Sequence, residues 1–294
     1  MYKQEPLSDK VLKVGIVCCS NGQTREHEKT VKALETALRQ LGMEPVFSPY
    51  IYERDSVFSG TAKERADSLM EFYRDTSIRC IFDISGGDIA NEVLPYLDYE
   101  WIARSNKSFW GYSDLTTIIN AIYTKTGKAS VLYQIRNLVY GDSERQQANF
   151  QSLIWHGNEE LFQFRYRFVQ RERMSGVVVG GNIRCLLKLA GTPYWPDMKD
   201  KLLLLEGYGG VVPQMVTYLN QLTQIGVFGQ INGIILGTFT NMEQEGCAPG
   251  IVELVKQYAG NTLPIVKTDE LGHGIDSKGV IIGKELILEA NSRN

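Results

Sequence analysis

Three polar residues, each in or beside an apolar segment, have the types and order needed for nucleophilic catalysis. Ser113 follows a short apolar run and opens a helical pattern, Glu206 directly follows four leucines, and His273 lies between two glycines after a short apolar segment. A serine hydroxyl becomes a good nucleophile when a general base removes its proton, and an imidazole oriented by a carboxylate is a common base. The order Ser, Glu, His therefore permits a nucleophile, an orienting acid and a general base.

Each of these residues also has a simpler interpretation. Ser113 and Asp114 could merely cap the following helix, because Ser and Asp are frequent N-caps. Glu206 could be exposed at a strand end, and His273 could be an ordinary turn residue. The segment also lacks the Gly-x-Ser-x-Gly pattern of α/β-hydrolases, since Leu115 replaces the second glycine. The residues alone leave the catalytic and the structural interpretations open.

The local pattern around Ser113 predicts a strand-to-helix turn. The pair Phe109-Trp110 suits a buried strand, Gly111 breaks it, and apolar residues at helical spacing then run from 115 to a stop at Gly127. A serine in such a turn holds its hydroxyl outside the sheet, beside the free N–H groups of the first helical turn. We therefore expect a nucleophile with half of an oxyanion hole next to it.

The first half of the chain alternates strand and helix patterns. Strands are expected over 11–19, 43–48 and 80–84, before the one at Phe109-Trp110, with helices over 30–41, 60–74 and 91–97. Such alternation predicts a parallel sheet with helices on both faces, and ligands bind such sheets at the carboxyl ends of the strands. The turns after Cys19, Ile84 and Tyr112 should therefore share one edge, and the second of these reads Ser-Gly-Gly-Asp over 85–88.

The second half must supply the acid and the base. Its expected strands cover 176–179, 201–205, 231–236 and 264–267, its expected helices cover 183–190, 212–225 and 250–259, and a closing hairpin is expected over 279–288. We predict a first domain over 1–150 that carries Ser113, a linker over 151–170, and a second domain over 171–294 that carries Glu206 and His273. The site should then lie between the domains.

Composition excludes several classes of function. The 294 residues carry a net charge of −3, which disfavours a nucleic-acid polymer as partner. No run reaches the ~18 apolar residues that span a bilayer, and the N-terminus has no apolar signal-peptide core. Five cysteines without a Cys-x-x-Cys motif indicate reduced thiols and a cytoplasmic protein. Three scattered histidines without a His-Glu-x-x-His motif disfavour a zinc site, and we expect neither metal nor organic cofactor.

Five short segments, in register over most of the chain, carry a family resemblance. They are GYSDLT (111–116), GGNI (180–183), GTPY (191–194), LLLE (203–206) and GHG (272–274). Together they resemble the serine peptidases called LD-carboxypeptidases, whose relatives include microcin-immunity peptidases. The resemblance implies Ser113 as nucleophile, Glu206 and His273 as its partners, and the backbone N–H groups of Gly87 and Asp114 as oxyanion donors. It also implies a flavodoxin-like N-terminal domain, a smaller β-rich α/β C-terminal domain, and a homodimer.

The function implied is hydrolysis of short peptides by a serine carboxypeptidase. Our first hypothesis is an LD-carboxypeptidase that releases a terminal D-amino acid from murein-type tetrapeptides through an acyl-enzyme. The alternative is a microcin-immunity-type peptidase that cleaves peptide-nucleotide or aminoacyl-adenylate-like conjugates, and the stretch NEVLPYLDY (91–99) looks closer to that branch. A third, non-catalytic hypothesis is a two-domain protein whose cleft closes on a small ligand.

Four further residues are candidates for substrate contacts. Gly86 would let the backbone approach the scissile carbonyl. Asp88 departs from the family pattern, in which Arg-Gly-Gly-Tyr is common at 85–88, and it would repel a substrate carboxylate if it faced inward. Trp195 and Tyr208 could stack on an aromatic or nucleotide-like group, although packing in the core or a loop is the alternative.

Overall fold

The computed structural model describes residues 11–290, and these form two six-stranded sheets with helices packed against them. The first ten residues, on which most of the expectation of no signal peptide rests, and the last four lie outside the described residues. Among the described residues, no helix is both long and apolar enough to cross a membrane.

The strands described within residues 11–290 have these bounds: β1 Leu12–Val17, β2 Met43–Phe47, β3 Cys80–Asp83, β4 Ser108–Gly111, β5 Ser130–Leu132, β6 Arg167–Gln170, β7 Arg173–Asn182, β8 Lys201–Gly207, β9 Gly233–Phe239, β10 Ile265–Lys267, β11 Val280–Ile282 and β12 Glu285–Glu289. The α-helices described there are α1 Glu28–Gln40, α2 Ala62–Arg74, α3 Tyr99–Arg104, α4 Thr116–Thr126, α5 Ser143–His156, α6 Ile183–Leu187, α7 Val212–Gln224, α8 Thr240–Gln244 and α9 Ile251–Ala259.

The first sheet has the strand order β11-β5-β4-β3-β1-β2. Strands β1 to β5 are parallel, and their order 2-1-3-4-5 is that of flavodoxin-like folds. One apolar cluster packs α1 and α5 against this sheet, and another packs α2 and α4, so both faces are covered. The predicted flavodoxin-like sheet is confirmed, and the carboxyl ends of β1, β3, β4 and β5 share one edge.

The second sheet has the order β12-β7-β8-β9-β10-β6. Its four central strands are parallel, and antiparallel strands β12 and β6 close its edges. Strand β8 runs through its middle, with all four leucines at 0% exposure, which explains why that stretch is apolar throughout. The two-part α/β architecture is therefore confirmed, whereas the exact domain boundaries stay a prediction.

The predicted closing hairpin over 279–288 is wrong. Strand β11 pairs antiparallel with β5 of the first sheet, and β12 pairs antiparallel with β7 of the second. Adjacent apolar segments around a glycine satisfy the local pattern of a hairpin, but pairing depends on which distant strand offers an open edge. The C-terminal segment consequently connects the two sheets.

Helix α4 joins the two halves directly behind the predicted nucleophile. The Asn120 amide donates to the Gly180 carbonyl and accepts from the Gly180 N–H, both at 2.9 Å. One turn earlier, the Thr116 hydroxyl accepts from the Asn182 N–H at 3.1 Å. Since Asn182 is the cross-strand neighbour of Glu206, this docking fixes the start of α4 relative to the end of β8.

Candidate active site

Ser113 lies between β4 and α4 in a strained conformation. Its φ of +53° is in the left-handed region, which non-glycine residues rarely adopt, and a 3₁₀ turn over Ser113–Leu115 leads into the helix. Its side chain caps neither helical segment. The hydroxyl lies instead 3.2 Å from Nε2 of His273. The interpretation of Ser113 as a mere helix cap is therefore wrong, and strain at this turn is typical of functional sites.

Glu206 is fully buried at the end of β8 and holds the imidazole. Its side chain is 1% exposed, and Oε2 accepts a hydrogen bond from Nδ1–H of His273 at 2.7 Å. With the proton on Nδ1, the Nε2 atom is free to accept the hydroxyl hydrogen of Ser113. Neither the exposed-glutamate nor the simple-turn interpretation fits this arrangement. The structure thus brings Ser113, His273 and Glu206 into one hydrogen-bonded chain.

The loop that carries His273 lies directly against β9 because of Gly272. Its φ is +138°, and a Cβ atom there would lie 1.9 Å from the hydroxyl oxygen of Thr238. The Thr238 N–H donates to the carbonyl of Leu271 at 2.7 Å, which fixes the loop beside the strand next to β8. Gly272 is therefore required for the imidazole to reach Glu206.

Two tyrosine rings hold the His273 ring in place. The ring centroids of Tyr112 and Tyr208 lie 4.6 Å and 5.0 Å from that of the imidazole. Burial raises the pKa of Tyr112 well above its usual value, the charge of Glu206 raises it further, and Arg136 opposes the shift. The Tyr112 phenol stays neutral and cannot serve as a base. These ring contacts therefore confine the imidazole, although it lies between two glycines.

The loop over 85–88 approaches the nucleophile closely. A Cβ atom on Gly86 would lie 3.9 Å from that of Ser113. The Asn21 N–H donates to the Gly86 carbonyl at 3.2 Å, and the Asp88 N–H donates to the Asn21 side-chain oxygen at 3.0 Å. These bonds hold the backbone of Gly87, with φ of +123°, beside the site. The oxyanion roles of the Gly87 and Asp114 N–H groups stay predictions.

Replacing Gly87 with alanine should disrupt this loop. The new Cβ would lie 2.2 Å from the Asn21 side chain, at a φ that alanine disfavours, so the loop must move. If the Gly87 N–H is an oxyanion donor, kcat should fall about 10²–10³-fold. Steady-state kinetics on a peptide substrate measure this, and Gly229→Ala, where a Cβ has open space, is the control. An unchanged kcat in Gly87→Ala would exclude Gly87 as a donor.

Two cations, Arg184 on α6 and Lys188 directly after it, contact the residues of both predicted oxyanion donors. Lys188 donates to the buried Asp114 carboxylate at 2.5 Å and to the Asp88 carbonyl at 2.8 Å. Arg184 pairs with the Asp88 carboxylate and donates to the Gly87 carbonyl at 3.2 Å. Partial burial alone would raise the pKa of Asp88, but its bonds and proximity to the two cations lower it below its usual value. Arg184 and Lys188 thus neutralise the charge of Asp88, which removes the expected repulsion of a substrate carboxylate.

We expect Lys188→Met to lower both stability and turnover. Asp114 would keep its bonds from Ser20 and Ala90 but lose its ion pair with Lys188, and breaking a buried pair costs about 3 kcal/mol. A loosened Asp114 would also misplace its N–H, so kcat should fall about 10-fold or more. Urea unfolding and steady-state kinetics test this against Lys199→Met, an exposed lysine of the same half. Wild-type stability in Lys188→Met would show that the ion pair with Asp114 does not stabilise the site.

Of the two aromatic candidates for substrate contact, only Tyr208 lies beside the triad. Tyr208 is 58% exposed beside His273, so it borders the site. Trp195 instead lines a groove with Tyr123 and Lys201. Lys201 is the first residue of β8 and Glu206 is the sixth. The two residues are therefore about 16 Å apart along the strand. The structure therefore does not bring Trp195 to the site, and its expected substrate contact is not supported.

Other potential ligands lie elsewhere. His27 and His156 are exposed, as their polar surroundings predict. Burial raises the pKa of the Cys18 and Cys19 thiols well above their usual values, so neither is a ready nucleophile. Within residues 11–290, no three His, Cys, Asp or Glu side chains are grouped to hold a metal ion.

Sequence comparison assigns both halves to one family. Residues 14–133 match the LD-carboxypeptidase N-terminal domain, and residues 175–288 match the LD-carboxypeptidase C-terminal domain. The putative carboxypeptidase YocD of Bacillus subtilis is 27% identical over 285 residues, covering 88% of this chain and 87% of its own. The murein tetrapeptide carboxypeptidase of Pseudomonas aeruginosa is 24% identical, covering 88% of this chain and 89% of its own.

The fold is also that of a solved structure. The microcin C7 self-immunity protein MccF of Escherichia coli is 23% identical in sequence, covering 87% of this chain and 84% of its own. A structure of MccF superimposes with a TM-score of 0.86 and 22% identity, over 97% of this chain and 94% of that one.

Proposed function

The chain belongs to the LD-carboxypeptidase family, and from this membership and its site geometry we propose that it is a serine-type carboxypeptidase. The observation that carries the proposal is the hydrogen-bonded chain from Ser113 through His273 to the buried Glu206. An imidazole oriented by a carboxylate and in contact with a strained serine is the arrangement that nucleophilic acyl transfer needs.

In the proposed mechanism, Nε2 of His273 accepts the Ser113 proton as the oxygen attacks the scissile carbonyl carbon. The Gly87 and Asp114 N–H groups stabilise the negative charge that develops on the carbonyl oxygen. As the C–N bond breaks, the imidazolium donates its proton to the leaving amine, and an ester on Ser113 remains. Water then attacks this ester with His273 again as base, which releases the acid and restores the hydroxyl. Glu206 keeps the imidazole tautomer correct and stabilises the imidazolium throughout.

The substrate class that we propose first is a short murein-type peptide that loses its terminal D-amino acid. The names of relatives, among them the murein tetrapeptide carboxypeptidase of Pseudomonas aeruginosa, support this choice. Because Arg184 and Lys188 neutralise Asp88, the departure from the family pattern at 85–88 does not oppose a carboxylate-bearing substrate.

A second candidate is cleavage of peptide-nucleotide or aminoacyl-adenylate-like conjugates. The exposed Tyr208 ring beside His273 supports it, because a flat ring bordering the site can stack on a base. The similarity to the microcin C7 self-immunity protein MccF also supports this second candidate. On this proposal the triad chemistry is unchanged and only the leaving group differs.

A side-by-side product analysis separates these proposals. The purified protein would be incubated with a murein tetrapeptide, its all-L counterpart and an aminoacyl sulfamoyl-adenosine, and the products identified by mass spectrometry. Loss of one terminal D-alanine from the first alone supports the murein assignment, and cleavage of only the third supports the second candidate. Recovery of every compound unchanged, with measurable binding, would favour the non-catalytic hypothesis and overturn the proposal.

We also propose that the protein acts in the cytoplasm as a homodimer. All five cysteines are free thiols, which suits a reducing compartment. The dimer is expected from the family, and light scattering after size-exclusion chromatography would test it, with a monomeric mass as the contradicting result.

A further inference from the structure

Arg136 lies at the same sheet edge as the nucleophile but takes no part in the triad or in the ion pairs of Arg184 and Lys188. It lies just after β5, in a 3₁₀ turn over Ile135–Val139. Its Nη1 donates to the Gln23 side-chain oxygen at 3.1 Å, and its Nε donates to the Gln134 side-chain oxygen at 3.3 Å. Both partners are uncharged amides.

These contacts place the guanidinium across the end of β4. Gln23 follows β1, and its Nε2 donates to the carbonyl of Ile84, which directly follows β3, at 3.0 Å. Strands β5 and β3 flank β4 and are therefore about 10 Å apart. An arginine that starts beyond β5 and reaches a side chain bonded to the end of β3 must pass over β4, where Tyr112 and Ser113 begin. Consistent with this, its charge acts on the buried Tyr112 hydroxyl.

The positive charge of Arg136 is held without being neutralised. Within residues 11–290, no carboxylate oxygen lies within 4.0 Å of its guanidinium, whereas Arg184 and Lys188 are both paired. Gln23 is 4% exposed, and its amide nitrogen donates to the carbonyl of Ile84. Only its side-chain oxygen therefore bonds to the arginine. The Nη2 group and one Nη1 hydrogen remain without a protein acceptor among the described residues. A glutamate at position 23 would have cancelled the charge, but the chain uses the neutral amide.

We propose that Arg136 binds the terminal α-carboxylate of the peptide and thereby restricts cleavage to the last residue. This inference rests on the proposed carboxypeptidase function and names the group that would make it an exopeptidase. A planar guanidinium whose Nη2 group and one Nη1 hydrogen have no acceptor among the described residues can donate to both oxygens of a carboxylate. Fixed over the end of β4, it would hold that carboxylate one residue beyond the carbonyl that Ser113 attacks.

The test compares two peptides that differ only in their C-terminus, a free carboxylate or a carboxamide, against the wild type and three variants. We expect the wild type to prefer the acid, and Arg136→Leu to lose about 100-fold in kcat/KM for the acid while changing little for the amide. Arg136→Lys should keep part of the preference, because lysine keeps the positive charge but lacks the planar guanidinium that donates to both carboxylate oxygens. Arg104→Leu, an exposed arginine resting on Trp101, is the matched control and should keep the full preference.

A binding measurement keeps this test independent of turnover. In a Ser113→Ala background, calorimetry with the same acid and amide should show the acid binding more tightly, and adding Arg136→Leu should abolish the difference. Thermal unfolding of each variant checks that the fold is retained. If Arg136→Leu still prefers the acid over the amide, in rate or in affinity, Arg136 does not bind the terminal carboxylate and the proposal is overturned. If the wild type hydrolyses neither peptide, the proposed function fails, and the affinities still decide the role of Arg136.

Discussion

Replacing Ser113 with alanine is expected to lower kcat/KM for peptide hydrolysis by about 10⁴–10⁶-fold while leaving the fold intact. The hydroxyl is the proposed nucleophile, and its hydrogen bond to His273 is its only side-chain hydrogen bond among the described residues. Removing it deletes the nucleophile but no stabilising cap. The strain at φ of +53° persists with alanine, so the unfolding free energy should change little.

Steady-state kinetics and thermal unfolding of Ser113→Ala together check this expectation. Ser152→Ala, a partly buried serine within α5, is the matched control and should retain full activity. Turnover by Ser113→Ala within 10-fold of the wild type would remove Ser113 from the mechanism. A collapse of the unfolding temperature would instead show that the serine has a structural role.

Glu206→Gln is expected to lower kcat by about 10⁴-fold, the loss typical of a triad acid replaced by its amide. The wild-type carboxylate accepts from Nδ1–H of His273 at 2.7 Å. A glutamine can offer its NH₂ at that position, which favours the tautomer with the proton on Nε2. That tautomer cannot accept the Ser113 proton. The effect should fall on kcat, because Glu206 is 1% exposed and is not itself presented to the substrate.

Measurement of kcat and KM across pH for Glu206→Gln tests this role. Glu285→Gln, at the exposed start of β12, controls for the loss of one negative charge. Because Oε1 of Glu206 has no partner among the described residues, the change removes one strong bond and leaves no second bond to compensate. A Glu206→Gln enzyme with wild-type kcat would show that the imidazole does not depend on this carboxylate.

The features that sequence predicted are those set by short-range chemistry. The apolar run of β8 predicted a buried strand, and Gly127 with αL backbone ended α4 where expected. The order of strands and helices was enough for the parallel first sheet. The triad candidates stood out because Glu206 and His273 are polar residues in or beside apolar or glycine-rich segments.

The features that sequence missed depend on long-range contacts. Nothing local indicates that β11 leaves β12 to pair with β5, or that Trp195 lies near the start of β8 instead of its end. Arg184 and Lys188 are four residues apart in the sequence, but their partners Asp88 and Asp114 lie 96 and 74 residues earlier in the chain, so no local pattern indicates these ion pairs. Lys188 could have been suspected only as a cation in the mostly apolar stretch that follows GGN (180–182).

The proposed mechanism requires that an acyl group is carried by Ser113, and mass spectrometry of the quenched enzyme can detect that group. The protein would be mixed with a slowly hydrolysed ester analogue of its peptide, quenched in acid during turnover, and its intact mass and digest analysed. We expect one acyl group per chain, carried on the fragment that contains Ser113 and absent from Ser113→Ala. An adduct on another residue, or turnover in Ser113→Ala at the wild-type rate, would contradict it.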